Sequence, residues 1–170
     1  MPQPERFDPA HVLRVLHAHG VRYVLIGGLA ANVLGSPSAT YDLDICYARD
    51  ENNLAALALA LTELHSRLRG AGEDVPFQID ARSLRNGDSF TFVTDAGPLD
   101  VLGTPSGTTG YDELAADATD VDLLGVGVKV VAIDKLMRMK AAAGRPKDRI
   151  ELEVLAALKD EIENPPRNQH

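Results

Sequence analysis

The chain has no tryptophan, a single cysteine, and only four phenylalanines and four tyrosines among 170 residues. A lone Cys46 cannot close an intramolecular disulfide, so the chain is not a disulfide scaffold and a reducing compartment is expected. With aromatic residues scarce, Ala, Leu and Val must supply most of the core. No apolar run approaches the roughly 20 residues needed to span a bilayer, and no signal-peptide pattern opens the sequence. A cytoplasmic protein without a membrane partner is expected. No Gly-x-Ser-x-Gly elbow, Walker A sequence or internal repeat is present. His11, His17, His19, His65 and His170 form no zinc spacing with Cys46. The net charge of −8 argues against nonspecific coating of nucleic acid, whose affinity comes from neutralising phosphates. It leaves room for a local basic patch, and residues 129–149 supply one: Lys129, Lys135, Arg138, Lys140, Arg145, Lys147 and Arg149 against Asp134 and Asp148.

The length suits one domain over residues 1–163, with a helical C-terminal part at about 132–163 and a flexible tail at 164–170. Asp8 followed by Pro9 is a helix start, and Val12, Leu13, Val15 and Leu16 give that helix an apolar face ending at Gly20. Residues 23–26 form a short strand, apolar on both faces. Gly27 and Gly28 turn it into a short helix that breaks at residues 35–38. A second strand follows over 43–47. A helix rich in Ala and Leu is predicted over 54–68, with Asn52 and Asn53 at its start. Strands are predicted over 77–79, 89–94 and 99–102, the last two as a hairpin, with Asn86-Gly87 and 96–98 as turns. A short helix at 111–116, a strand pair around Gly125, and helices at 133–143 and 147–162 complete the reading.

Asp42 and Asp44 alternate along the second strand, so they share a face at about 6–7 Å spacing. Two like charges that close repel unless a cation sits between them, and Mg²⁺ suits one or two carboxylates plus substrate phosphates. Leu43, Ile45 and Tyr47 make the opposite face apolar, so the acidic face lines a cleft or solvent. Cys46 shares the acidic face, where a thiolate would be disfavoured, and reads as a packing residue. Gly27 and Gly28 let backbone approach a phosphate at a helix N-terminus, although a bare glycine pair taken alone reads first as a tight turn with no ligand. A third acid would complete a phosphoryl-transfer site. Asp100, flanked by Leu99 and Val101, is the first candidate, because a buried carboxylate needs a partner or a metal. Asp80 is its rival, with a structural role beside Arg82 as the alternative. Lys140 reads either as a cation facing the cleft or as a helix-dipole partner. Lys147 and Asp148 read as triphosphate contacts or as helix-start charges.

Taken together, these residues resemble the minimal nucleotidyltransferase superfamily, whose fold is similar to that of DNA polymerase β. The carriers are Ile26-Gly27-Gly28, the Asp42-Leu43-Asp44 strand, Leu99-Asp100-Val101, and the run from Lys140 through Arg145, Lys147 and Asp148. That last block looks like the signature of the AbiEii/MenT-like branch, which includes toxins of toxin–antitoxin systems that add nucleotides to tRNA 3′ ends. The similarity spans roughly residues 21–160. Relatives often carry Arg where this chain has Ser38, and Asp where it has Glu151.

The resemblance implies an α+β nucleotidyltransferase fold, with a mixed sheet flanked by helices and helices at the C-terminal end. It implies catalytic and metal-binding roles for Asp42, Asp44 and Asp100, with Mg²⁺ as cofactor. Gly27, Gly28, Thr40, Lys140, Lys147 and Asp148 would bind the NTP substrate, ATP included. The activity implied is transfer of an NMP to an acceptor hydroxyl with release of pyrophosphate. The acceptor is expected to be tRNA, with a cognate antitoxin as protein partner. The alternatives are an antibiotic acceptor, a partner toxin protein as acceptor (the chain then acting as antitoxin), and an inactive nucleotide- or partner-binding module.

Overall fold

The computed structural model describes residues 6–70 and 77–167. Three residues of the expected tail, 168–170, lie outside them. The elements in chain order are α1 (Pro9–Ala18), β1 (Tyr23–Ile26), α2 (Gly27–Leu34), β2 (Leu43–Tyr47), α3 (Glu51–Glu63), β3 (Arg67–Leu68) and α4 (Ala81–Asn86). They continue with β4 (Ser89–Thr94), β5 (Gly97–Leu102), α5 (Tyr111–Ala115), β6 (Thr119–Leu123), β7 (Val126–Val130), α6 (Ile133–Ala143) and α7 (Pro146–Glu163). The strands form one seven-stranded mixed sheet in the order β3-β4-β5-β2-β1-β7-β6. The β2–β5 and β1–β7 pairs are parallel and the rest antiparallel. This is the α+β architecture expected, with α6 and α7 closing the C-terminal end.

Local chemistry accounts for most of these boundaries. The Asp8 carboxylate accepts from the His11 N–H at 3.2 Å and caps α1, whose Val12, Leu13, Val15 and Leu16 are buried. All four residues of β1 are buried, as expected of a short apolar run inside a sheet. In β2, Leu43, Ile45 and Tyr47 face the core with Phe90, Phe92, Leu99 and Val101 of the neighbouring hairpin. Helices α1, α3 and α4 pack on this side. The Tyr47 hydroxyl donates to the Leu84 carbonyl of α4, and Phe90 and Phe92 stack with ring centroids 5.9 Å apart.

Four local expectations are corrected. The cap of α3 is Asp50, which accepts from the Asn53 N–H at 3.2 Å. Asn53 is instead buried, donating to the Arg22 and Ala48 carbonyls and accepting from the Arg22 N–H, which ties α3 to both strands at one end of the β1–β2 pair. The helix stops at Glu63, not 68, because His65 takes a left-handed φ of 50°. Arg67 and Leu68 are thereby released to pair with β4. That pairing fills the free edge of β4, so residues 77–79 find no strand partner. Phe77 contributes its ring to Phe90 and Phe92. Asp80, Asn86 and Gly87 are the two ends of α4, with Asp80 accepting from the Ser83 N–H at 2.8 Å. Among the described residues no helix is long and apolar enough to cross a membrane.

Candidate active site

Asp44 in β2 lies directly opposite Asp100 in β5 across a parallel pair. Asp42 sits one residue before β2, fixed by the Thr40 hydroxyl, which donates to its carbonyl and to its carboxylate, each at 3.3 Å. One oxygen from each of the three carboxylates lies within 4.8 Å of the others. Asp100 Oδ1 is buried and has no hydrogen-bond donor. The Asp44 carboxyl is pushed up to about 8, first by burial, then by the charge of Asp42, then by a hydrogen bond with Asp100 and the charge of Asp100, with Lys140 pulling it down. An orphaned buried oxygen and a strained set of acids are the donor chemistry of a hard divalent cation, so the residues fit one.

The glycine pair makes this arrangement possible. A Cβ on Gly27, whose φ is +72°, would stand 2.1 Å from Asp44 Oδ2. A Cβ on Gly28 would stand 2.8 Å from Thr40 Oγ1. The two glycines thus let Asp44 and Thr40 pack against the start of α2, which has no side-chain cap. Both also line the cleft above the acids.

The opposite wall comes from α6 and α7. Asp148, only 1% exposed, accepts from the Arg145 backbone N–H at 3.0 Å and from Arg145 Nε at 2.9 Å. Its other oxygen is 3.6 Å from Lys140 Nζ. Burial pushes the Asp148 carboxyl up, but the Arg145 bonds and the Lys140 charge outweigh it and hold the group below the ordinary carboxylate range. Lys140, Arg145 and Lys147 line the cleft, with Asp148 behind them bracing two of the three. Lys140 thus stands both in the last turn of α6 and in the wall of the cleft.

The cleft measures about 850 Å³ and has room for a nucleotide. Tyr41 and Ile150, both largely exposed, stand at its rim, and Arg69 reaches it from the end of β3. Of the expected site residues, Asp42, Asp44, Asp100, Gly27, Gly28, Thr40, Lys140 and Lys147 meet here, and Asp148 lies just beneath. Asp80 is outside it as a helix cap. Cys46 shares the acidic face but is fully buried, its thiol donating to the Gly103 carbonyl and pushed up to about 12 by burial. Among the charged lining residues, Arg69 carries no signal in the sequence that marks it for the site. Arg145 and Glu151, which the basic block and the comparison with relatives point to, both line the cleft. Among the described residues the Glu151 Oε2 atom is buried without a hydrogen-bond partner.

No protein-family model and no curated protein matches the chain. Solved structures do match it in shape. The chain is similar to the lincomycin-bound lincosamide antibiotic adenylyltransferase LnuA, at 11% identity and a TM-score of 0.61, over 91% of this chain and 99% of that one. It is similar to an antigenic nucleotidyltransferase-like protein from Paracoccidioides brasiliensis, at 18% identity and a TM-score of 0.52, over 88% of this chain and 72% of that one. The antibiotic-resistance factor ANT(2'')-Ia matches at 12% identity and a TM-score of 0.50, over 91% of each chain. At these identities the likeness is one of fold, and the fold is that of the nucleotidyltransferases.

Proposed function

We propose that the protein is a Mg²⁺-dependent nucleotidyltransferase that moves an NMP from an NTP to an acceptor hydroxyl. The observation that carries this reading is the register of Asp44 against Asp100, with Asp42 alongside and one Asp100 oxygen left without a donor. Asp42, Asp44 and Asp100 would hold the metal. When bound, a divalent cation polarises the α-phosphate and stabilises the attacking and leaving oxygens. Gly27, Gly28 and the start of α2 offer backbone N–H groups to the phosphates. Thr40 keeps Asp42 in place. Lys140, Arg145 and Lys147 face the triphosphate and balance the charge that builds on the departing pyrophosphate, while Asp148 holds Lys140 and Arg145 in position. The acceptor oxygen forms a bond to the α-phosphorus as the bond to the bridging oxygen breaks. Asp100 receives the acceptor proton.

The acceptor we favour is RNA, with tRNA first, in the manner of a toxin of the AbiEii/MenT-like branch with a cognate antitoxin. The block from Lys140 to Asp148 supports that choice. A second reading, an antibiotic acceptor, is favoured by the names of LnuA and ANT(2'')-Ia and by the acidic balance of the chain. Incubation with the four NTPs and Mg²⁺, followed by mass analysis of total tRNA, of lincosamide and aminoglycoside acceptors and of candidate protein partners, separates the two. An NMP mass increment on tRNA alone supports the first, and one on a drug alone overturns it. NTP binding with no increment anywhere favours a binding module.

A further inference from the structure

The sheet face that carries Asp44 and Asp100 continues outward past Asp100. On β4, Thr91 pairs with Asp100 and Val93 with Pro98. On β3, Arg67 pairs with Val93, and the Arg69 N–H donates to the Thr91 carbonyl at 2.8 Å. Paired residues share a face, so Asp100, Pro98, Thr91, Val93, Arg67 and Arg69 form one surface. Over β1 and β2 the same face is closed, with Val24, Ile26 and Cys46 buried. From Asp100 outward it is open: Pro98, Thr91 and Val93 are half-buried and both arginines exposed. Two strand spacings put the Arg69 backbone roughly 10 Å from that of Asp100, within a long side chain's reach of the space between them. Arg69 lines the cleft itself.

The direction of the reaction gives this shelf a use. Gly27 and Gly28, at the end of β1, lie across β2 from Asp100, and Lys140, Arg145 and Lys147 line the same cleft from α6 and α7; the triphosphate would sit against the glycines. In-line displacement sets the attacking and leaving oxygens on opposite sides of the phosphorus. The acceptor therefore approaches over β5, β4 and β3. We propose that Arg67 and Arg69 form an acceptor subsite for the phosphodiester groups of a single-stranded RNA end, presenting its terminal hydroxyl at Asp100. Arginine forks match phosphate oxygens in pairs, and a polycationic drug would be repelled by them. Charge on an edge strand also discourages strand addition, but that role is indifferent to sign and to face.

The position of the hydroxyl rests on the transferase reading, whereas phosphate binding by the shelf can be measured without turnover. The test is binding of a fluorescent single-stranded octaribonucleotide to the full chain over a range of salt concentrations. The proteins compared are wild type, the Arg67→Ala/Arg69→Ala and Arg67→Lys/Arg69→Lys pairs, and Arg14→Ala on the exposed side of α1 as control. Thermal melts verify that each is folded, and calorimetry with NTP and Mg²⁺ reports the nucleotide site separately. The alanine pair is expected to bind the strand about tenfold more weakly, with a log–log salt slope shallower by about 1.4, the share of two single-strand phosphates. The lysine pair should recover the slope, and Arg14→Ala and NTP binding should be unchanged. Arginine-dependent strand binding without NTP binding would keep the shelf and remove the transferase reading. No strand binding by wild type, unaltered binding by the alanine pair, or an equal loss in Arg14→Ala would overturn the proposal.

Discussion

Asp44 and Asp100 stand opposite each other on parallel strands, close enough with Asp42 that single oxygens of all three fall within 4.8 Å. Such a set is self-repelling without a cation. Mg²⁺ at about a hundred times its dissociation constant should therefore stabilise the protein by about 2.7 kcal/mol, raising Tm by roughly 5–10 °C for a chain of this size. Asp44→Asn and Asp100→Asn should abolish that rise. A rise of the same size in either variant would place the ion elsewhere.

The glycine at position 27 is tied to one particular neighbour. Gly27→Ala adds a Cβ at 2.1 Å from Asp44 Oδ2 on a backbone with φ of +72°. Left-handed strain of roughly 1–3 kcal/mol is expected, together with loss of the Mg²⁺-induced Tm shift. Gly20→Ala is the matched control, since its φ is +69° but nothing lies within 4 Å of its added Cβ. It should share the strain and retain the metal response. Equal metal responses in the two variants would detach Gly27 from the site.

Asp148 should matter to stability and in a pH-dependent way. Asp148→Asn leaves Lys140 and Arg145 without their buried counter-charge. A loss near the lower end of the roughly 3–5 kcal/mol typical of broken buried pairs is expected at pH 7, because Arg145 is half exposed to solvent. The folded-state affinity of Asp148 for a proton is lowered, so its stabilisation is present above the unfolded carboxyl value of about 4. It is lost as the pH falls through the lower, folded value. Denaturant titrations should show the gap between wild type and variant at pH 7 and its closure below about pH 4. A gap that is constant with pH would mean that packing, not charge, is what Asp148 supplies.

The parts of this site that the sequence displays are those with a strict local period. The alternation of Leu43, Asp44 and Ile45 marks both the strand and its acidic face, and Leu99-Asp100-Val101 does the same for β5. Their pairing in register is a tertiary fact that no local pattern encodes. Asp148 reads either as a triphosphate contact or as a helix-start charge, and its part as a buried brace is hidden because a capping acid and a brace look alike along the chain. The alternation of Arg67, Leu68 and Arg69 was hidden by the apolar helical pattern running into it. Only the left-handed turn at His65 ends the helix early enough to make a strand there. Asp80 resembled Asp100 in its apolar flanks, and the missing strand partner for residues 77–79 is what separates them.

The most direct measurement of the central claim is transfer of α-labelled NTP in the presence of Mg²⁺ to total tRNA, with pyrophosphate release followed in parallel. Wild type should label the RNA and release pyrophosphate in equal amounts. Asp44→Ala should lower both by at least about a hundredfold, in line with the loss of charge stabilisation at a phosphoryl-transfer site. Undiminished transfer by Asp44→Ala, or no label transfer by the folded wild type with any of the four NTPs, would contradict the account.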